Sequence, residues 1–353
     1  MRAPFALSFA FAALSLAAGC AGRAEPDDRP PQLASGWNEI RPGGDTICAR
    51  GTPFSFYVRP GNVNRVIVEF RGGGACWDAA TCAPGSDYFQ ETATPPGSSG
   101  IYDHDDPRNP VAGWHHVYVP YCTGDIHWGD NTVSYEGKGG PFTIHHAGAR
   151  NARAALAWVR EQFKGPEKIL VTGCSAGAYG SVMWAPHLQK QYPSARIYQL
   201  GDAGAGVITQ QFYQASYPSW RPEGSYPTWL PGITPQALTS LTNLYVAIGK
   251  GYPDMRMSQY AAWSDLEQVF RFQAMGGGTL EDWRQGMLAS FAAIDEALPN
   301  FSSFVGPGNG HCVTPLDAFY DAEAEGKSFA GWLRDTVEDK PVESVCSDCQ
   351  SSR

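Results

Sequence analysis

The stretch VTGCSAGAYG, residues 171–180, sets Ser175 between Gly173 and Gly177 directly after an apolar run. A G-x-S-x-G pentapeptide at a strand-to-helix turn is the pattern of a nucleophile elbow, where a strained backbone lifts the serine hydroxyl clear of the sheet. The two glycines are needed because side chains there would collide across the turn. The helix that follows would aim its N-terminus at the serine, favouring negative charge as it develops on a substrate. A serine is a weak nucleophile until a base takes its proton and an acid orients the base. A plain glycine-rich turn has the same spelling, so the partners decide.

In such a fold the chain order is serine, acid, histidine. Only His187 and His311 follow Ser175. His187 lies 12 residues along the helix that Ser175 starts, ~18 Å away at the α-helical rise, and cannot reach back. His311 is left, in GPGNGHCVTP, where Gly308, Gly310 and Pro315 predict an irregular loop. Three aspartates are open as the acid. Asp202 ends the run ARIYQLGD, Asp254 precedes RMSQYAAWSD, and Asp265 ends it. An acid must reach the imidazole from beyond a strand's C-terminal end, which suits Asp265 best and leaves Asp202 as a brace for the floor of the site. Asp282 and Asp295 fall within a predicted helix, facing solvent. Oxyanion donors are expected from VIVEFRGGGACWD, where Gly72, Gly73 and Gly74 follow a strand and present backbone N–H groups, with Ala176 as the partner donor. A phosphate cradle would want a following Lys-Ser/Thr, which this loop lacks.

Elements able to hold these residues are legible. NRVIVEF (64–70), HHVYVPY (115–121), KILVTG (168–173), ARIYQLGD (195–202) and RMSQYAAWSD (256–265) read as strands. ARNARAALAWVREQF (149–163) and LEDWRQGMLASFAAIDEAL (280–298) carry apolar residues at helical spacing. Strands alternating with amphipathic helices predict an α/β fold, a mainly parallel central sheet with helices on both faces. The stretch 212–232, with Trp220, Trp229 and three tyrosines among prolines, reads as irregular: a lid or sugar-stacking platform, or a loop pinned down by its own rings.

The net charge of −9, with no Lys/Arg cluster, argues against a nucleic-acid partner. Residues 1–20 carry one arginine and then an apolar run too short to span a bilayer, which reads as a signal peptide. Its LAAGC end is similar to a bacterial lipobox and would make Cys20 the lipidated first residue, an anchor at the periplasmic or cell surface; otherwise the chain is secreted. Residues 21–40 follow as a flexible tether, most clearly over 21–36, and 41–353 reads as one domain. Setting Cys20 aside leaves eight of the nine cysteines, an even number that suits disulfides in an oxidising compartment. Cys76 and Cys82 can close a short loop, and Cys346 and Cys349 read as a structural bridge. The histidine pairs at 115–116 and 145–146 are chain neighbours, which disfavours zinc, and the acidic run YDHDDPRNP (102–110) lacks calcium-loop spacing.

FRGGGACWD, VYVPYCTGDIHWGD, GARNARAALAWV, VTGCSAGAYGSV and WSDLEQ occur in the order seen in the pectin acetylesterase/Notum family of serine carboxylesterases, and this chain resembles that family from about residue 40 to 320. The resemblance implies an α/β-hydrolase-like core and a triad of Ser175, Asp265 and His311, with Gln268 beside the acid and Gly73, Gly74 and Ala176 as the oxyanion hole. It also implies hydrolysis of an O-acyl ester, acetyl first and on a carbohydrate, with no cofactor and no metal. Many members carry a bulky aromatic after the two oxyanion glycines, so Gly74 in that place implies a wider or differently lined acyl site. Two alternatives stand beside this one. The enzyme would take longer acyl chains, or the chain would be a non-catalytic sugar-binding surface lipoprotein.

Overall fold

The computed structural model describes Met1, residues 33–235 and residues 237–349. Apart from Met1, the expected signal peptide with Cys20 and the tether up to residue 32 lie outside the described residues. The first strands are β1 (Asn38–Ile40), β2 (Phe56–Arg59), β3 (Arg65–Phe70) and β4 (His115–Val119). A hairpin, β5 (Asn131–Gly137) and β6 (Gly140–His146), stands apart from the main sheet. Then come β7 (Lys168–Cys174), β8 (Arg196–Asp202), β9 (Arg256–Ala262) and β10 (Phe301–Gly306). A two-residue pair, β11 (Glu323–Ala324) and β12 (Lys327–Ser328), precedes β13 (Val345–Cys346).

The main sheet has nine strands in the order β1-β2-β4-β3-β7-β8-β9-β10-β13. From β4 to β13 every pairing is parallel, and β1 and β2 add an antiparallel edge. Alternate side chains serve two cores, as the period of a strand requires. Val66, Val68 and Phe70 of β3 and Ile169 and Val171 of β7 point into the larger core. There they meet α1 (Gly148–Gln162), α2 (Ala176–Gln191), α3 (Gln210–Trp220), α4 (Leu241–Gly251), α5 (Leu266–Ala274) and α6 (Leu280–Ala297). Ile67, Leu170, Tyr198 and Phe304 face the other way, against α7 (Ala318–Asp321) and α8 (Phe329–Val337). Burial on both faces is why the central strands read as nearly unbroken apolar runs.

Three expectations need correction. The tether does not extend to residue 40, because Asn38, Glu39 and Ile40 pair with Val58, Tyr57 and Phe56. The strand expected over 256–265 ends at Ala262, since Asp265 turns the chain and caps α5. The supposedly irregular stretch 212–232 is helical up to Trp220: Thr209 caps α3, and Pro218 lies in its last turn, where it removes one i→i−4 hydrogen bond close to the helix end.

Candidate active site

Five adjacent parallel strands, β3, β7, β8, β9 and β10, end at one edge of the sheet, and each delivers a segment there. Ligand sites of open α/β sheets form outside the carboxyl ends of the strands. Gly72 to Gly74 follow β3, Ser175 follows β7, Asp202 ends β8, Asp265 lies just past β9, and His311 lies past β10.

Ser175 is the N-cap of α2 with φ 57° and ψ −121°, a left-handed conformation that a residue with a side chain adopts only under constraint. The constraint is visible in its neighbours. A Cβ on Gly177 would stand 1.8 Å from the carbonyl oxygen of Phe70, and one on Gly173 would stand 2.3 Å from the carbonyl oxygen of Gly177. The Ser175 N–H donates to the carbonyl of Asp202 at 2.7 Å, locking the turn onto β8.

His311 is partly exposed (24%), and its Nδ1 lies 3.0 and 2.9 Å from the two carboxylate oxygens of the wholly buried Asp265. With Nδ1–H donated there, Nε2 is the ring's acceptor. Asp265 is itself held: its Oδ1 accepts the Gln268 N–H at 3.0 Å and its Oδ2 the Gln268 side-chain amide at 2.9 Å. The Gln268 carbonyl oxygen in turn accepts the Ala205 N–H at 2.9 Å. The other two aspartates lie elsewhere. Asp202 is buried and accepts the N–H groups of Val313 and Thr314 and the Thr314 hydroxyl, which is the brace expected of it. Burial raises its pKa to about 6. Asp254 is exposed ahead of β9, at the opposite end of that strand. His187 bonds the Ser225 carbonyl at 2.8 Å, away from Ser175.

The 72–74 loop pairs with residues 88–90 through the Gly73 carbonyl and the Ala75 N–H, a ladder that leaves the Gly73 and Gly74 amides unused. The Ala176 amide is the first of α2, one of the N–H groups a helix start leaves open. Sequence reading gave His127 no role, yet it supports this loop. Ile126 and His127 take left-handed backbones (φ 52° and 65°), and the His127 Nε2–H donates to the Arg71 carbonyl at 2.8 Å. Burial lowers the His127 pKa to about 4, so the ring is neutral at neutral pH. No residue type in GDIHWG announces that backbone; the signal is purely conformational.

Ser175 and His311 line one cleft of about 80 Å³, without a hydrogen bond between them. Such contacts commonly tighten only around a bound substrate. Trp77, Ile126, Val207, Phe212, Met275 and Trp283 make most of its wall apolar. An open groove beside it runs past Arg71, Gln90, Glu267 and Arg271. The wider acyl site inferred from Gly74 needs correction. Gly74 has φ +73°, and a Cβ there would meet the Tyr88 carbonyl oxygen at 2.1 Å, so this position holds a turn and leaves no vacated side-chain space. Nor is 212–232 an open sugar platform, since Phe212, Tyr213 and Trp220 are buried and the Trp220 indole N–H donates to the Cys76 carbonyl. The described cysteines form four bridges: Cys48–Cys122, Cys76–Cys82, Cys174–Cys312 and Cys346–Cys349.

Known proteins align with this architecture. Pectin acetylesterase 11 of Arabidopsis thaliana is 26% identical over 187 residues, which is 48% of this chain and 45% of that protein. Pectin acetylesterase 7 of the same plant is 27% identical over 184 residues, with the same two coverages. The chain thus matches somewhat under half the length of these relatives. The solved structure of the Wnt deacylase Notum from Drosophila superposes with a TM-score of 0.59 at 18% identity, covering 86% of this chain and 93% of that one, a likeness of fold. A family model described as Pectinacetylesterase matches residues 42–219, a span that holds the glycine loop and Ser175 and stops short of Asp265 and His311. With that match, the chain belongs to the pectinacetylesterase family.

Proposed function

We propose that this chain is a serine carboxylesterase that hydrolyses O-acyl esters, with Ser175 as nucleophile, His311 as base and Asp265 as the orienting acid. The observation that carries the reading is the Asp265–His311 pair facing the same cleft as a serine held at positive φ. In the proposed course, Ser175 Oγ attacks the ester carbonyl while His311 Nε2 takes its proton. The amides of Gly73, Gly74 and Ala176 receive the oxyanion. His311 then returns the proton to the departing alcohol, and water, activated by the same ring, frees the acid and restores Ser175.

The family and its plant members' names support an acetyl ester on a carbohydrate such as pectin as the substrate. A second reading, longer acyl chains, is favoured by the apolar cleft, whose wall offers more surface than a methyl group can cover. Four disulfides fit an exported protein, and we place its anchor on Cys20.

The test is hydrolysis of p-nitrophenyl esters from two carbons upward, beside acetylated pectin, by wild type and Ser175→Ala. The expected loss in kcat is at least ~1000-fold. Equal rates would remove the esterase reading, leaving a sugar-binding surface protein. A rate that collapses beyond two carbons would remove the long-chain reading.

A further inference from the structure

The bridge between Cys174 and Cys312 joins the chain neighbours of two proposed catalytic residues, for Cys174 precedes Ser175 and Cys312 follows His311. It spans 138 positions of sequence. On its leading side the segment that carries His311 is held by the Ser264 N–H, which donates to the Gly308 carbonyl at 2.9 Å. Residues 307–310 are exposed, and a Cβ on Gly308 or Gly310 would meet nothing within 4 Å. On its trailing side Asp202 holds Val313 and Thr314, while the carbonyl of Asp202 accepts the Ser175 N–H. Cys174 and Cys312 pack with Ala203 in a small buried cluster of their own, at the wall of the open groove. Ser175 (φ 57°) and Cys312 (φ 63°) both adopt left-handed backbones beside the bridge. The covalent link therefore joins both ends of the Ser175–His311 separation directly, beside the hydrogen bonds that Asp202 makes to the same two segments.

We propose that the Cys174–Cys312 disulfide is a positioning element of the hydrolase, setting the distance between nucleophile and base. It rests on the esterase reading above. The pairing of His311 with Asp265 does not run through the bridge. Opening the bridge therefore leaves a paired base that is misplaced relative to Ser175, and a misplacement of about 1 Å is enough for a ~100-fold loss of rate.

The test compares Cys174→Ala/Cys312→Ala with wild type, and with Cys346→Ala/Cys349→Ala as a bridge remote from the cleft. p-Nitrophenyl acetate is the substrate, and reactive sites are counted with a fluorophosphonate that labels the serine. A merely structural role lowers the number of labelled sites and leaves turnover per site alone. The positioning role predicts full labelling at a slower rate. It also predicts kcat per site about 10- to 100-fold down, KM within about twofold, and an unmoved acidic limb of the kcat/KM profile. The remote pair should match wild type. If the double variant does not fold, wild type is treated with a small dithiol, whose two thiols are oxidised to its own disulfide as the bridge becomes two cysteine thiols. Alkylation and mass analysis then locate the opened bridge. Unchanged turnover per labelled site, in either form, would overturn the proposal. Inactivity of wild type itself relative to Ser175→Ala would instead count against the esterase reading.

Discussion

At the scale of single residues, the site contrasts two buried aspartates that do different work. Asp265 faces an imidazole and an amide side chain, whereas Asp202 faces only backbone N–H groups and a threonine hydroxyl. A carboxylate in the first setting fixes a ring tautomer; one in the second fixes a loop. Asp265→Asn keeps the size and the helix cap but offers the ring an N–H in place of an acceptor. A drop in kcat of ~10,000-fold at neutral pH is expected, with little change in melting temperature. Steady-state kinetics beside a thermal melt will check it, and a kcat within tenfold of wild type would displace Asp265 from the proposed role. Ser175 and His311, the proposed nucleophile and base, were singled out by spacing and chain order. The choice among Asp202, Asp254 and Asp265 was not legible that way, because it depends on which loop returns to the imidazole, and three strand ends lay open. The Cys174–Cys312 pairing escaped for the same reason, though both cysteines were in plain view beside the key residues.

At the scale of elements, the turn between β7 and α2 holds the closest backbone approach to a glycine among the described residues. The Gly177 position stands against the Phe70 carbonyl, so the helix can approach β3 only without a side chain there. Gly177→Ala must push α2 away from the sheet, and a destabilisation of roughly 3 kcal/mol or more is expected, by analogy with overpacked cores. Chemical denaturation would show it as a lower midpoint; a midpoint equal to wild type would mean that the joint has slack. The central strands were readable as nearly unbroken apolar runs, and α1 and α6 by apolar residues at helical spacing. α3 was not, since its proline and tyrosines look like loop composition while Thr209 and buried rings hold the helix. The end of β9 was overrun because Asp265 reads equally as a strand terminus or as the cap of α5.

At the scale of the whole molecule, buried ionisable groups set how stability answers to acid. Burial lowers the pKa of His127, His146 and His187 from 6.5 to about 4 and that of His104 to about 3. These rings stay neutral in the fold but take protons once unfolded, so their contribution is present above 6.5 and is lost as pH falls toward 4. Asp125 and Asp202, raised by burial from 3.8 to about 6, act in the opposite sense. Their contribution is complete below 3.8 and is lost as pH rises through 6. The imidazoles outnumber the carboxyls, so melting temperature should fall steadily from pH 6.5 to pH 4. A melting temperature that rises over that interval would show the assignment of neutral buried rings to be wrong. Both flanks of the sheet finish in stubs, three residues in β1 and two in β13, the latter held to β10 by backbone pairing and followed by the short loop that the Cys346–Cys349 bridge closes. Beneath the second stub lies β10, six residues with none exposed. A molecule clipped ahead of Val345 would bare that ribbon's unpaired amides and carbonyls, an invitation to other copies to dock edge to edge. The small terminal clasp thus doubles as a guard against clumping.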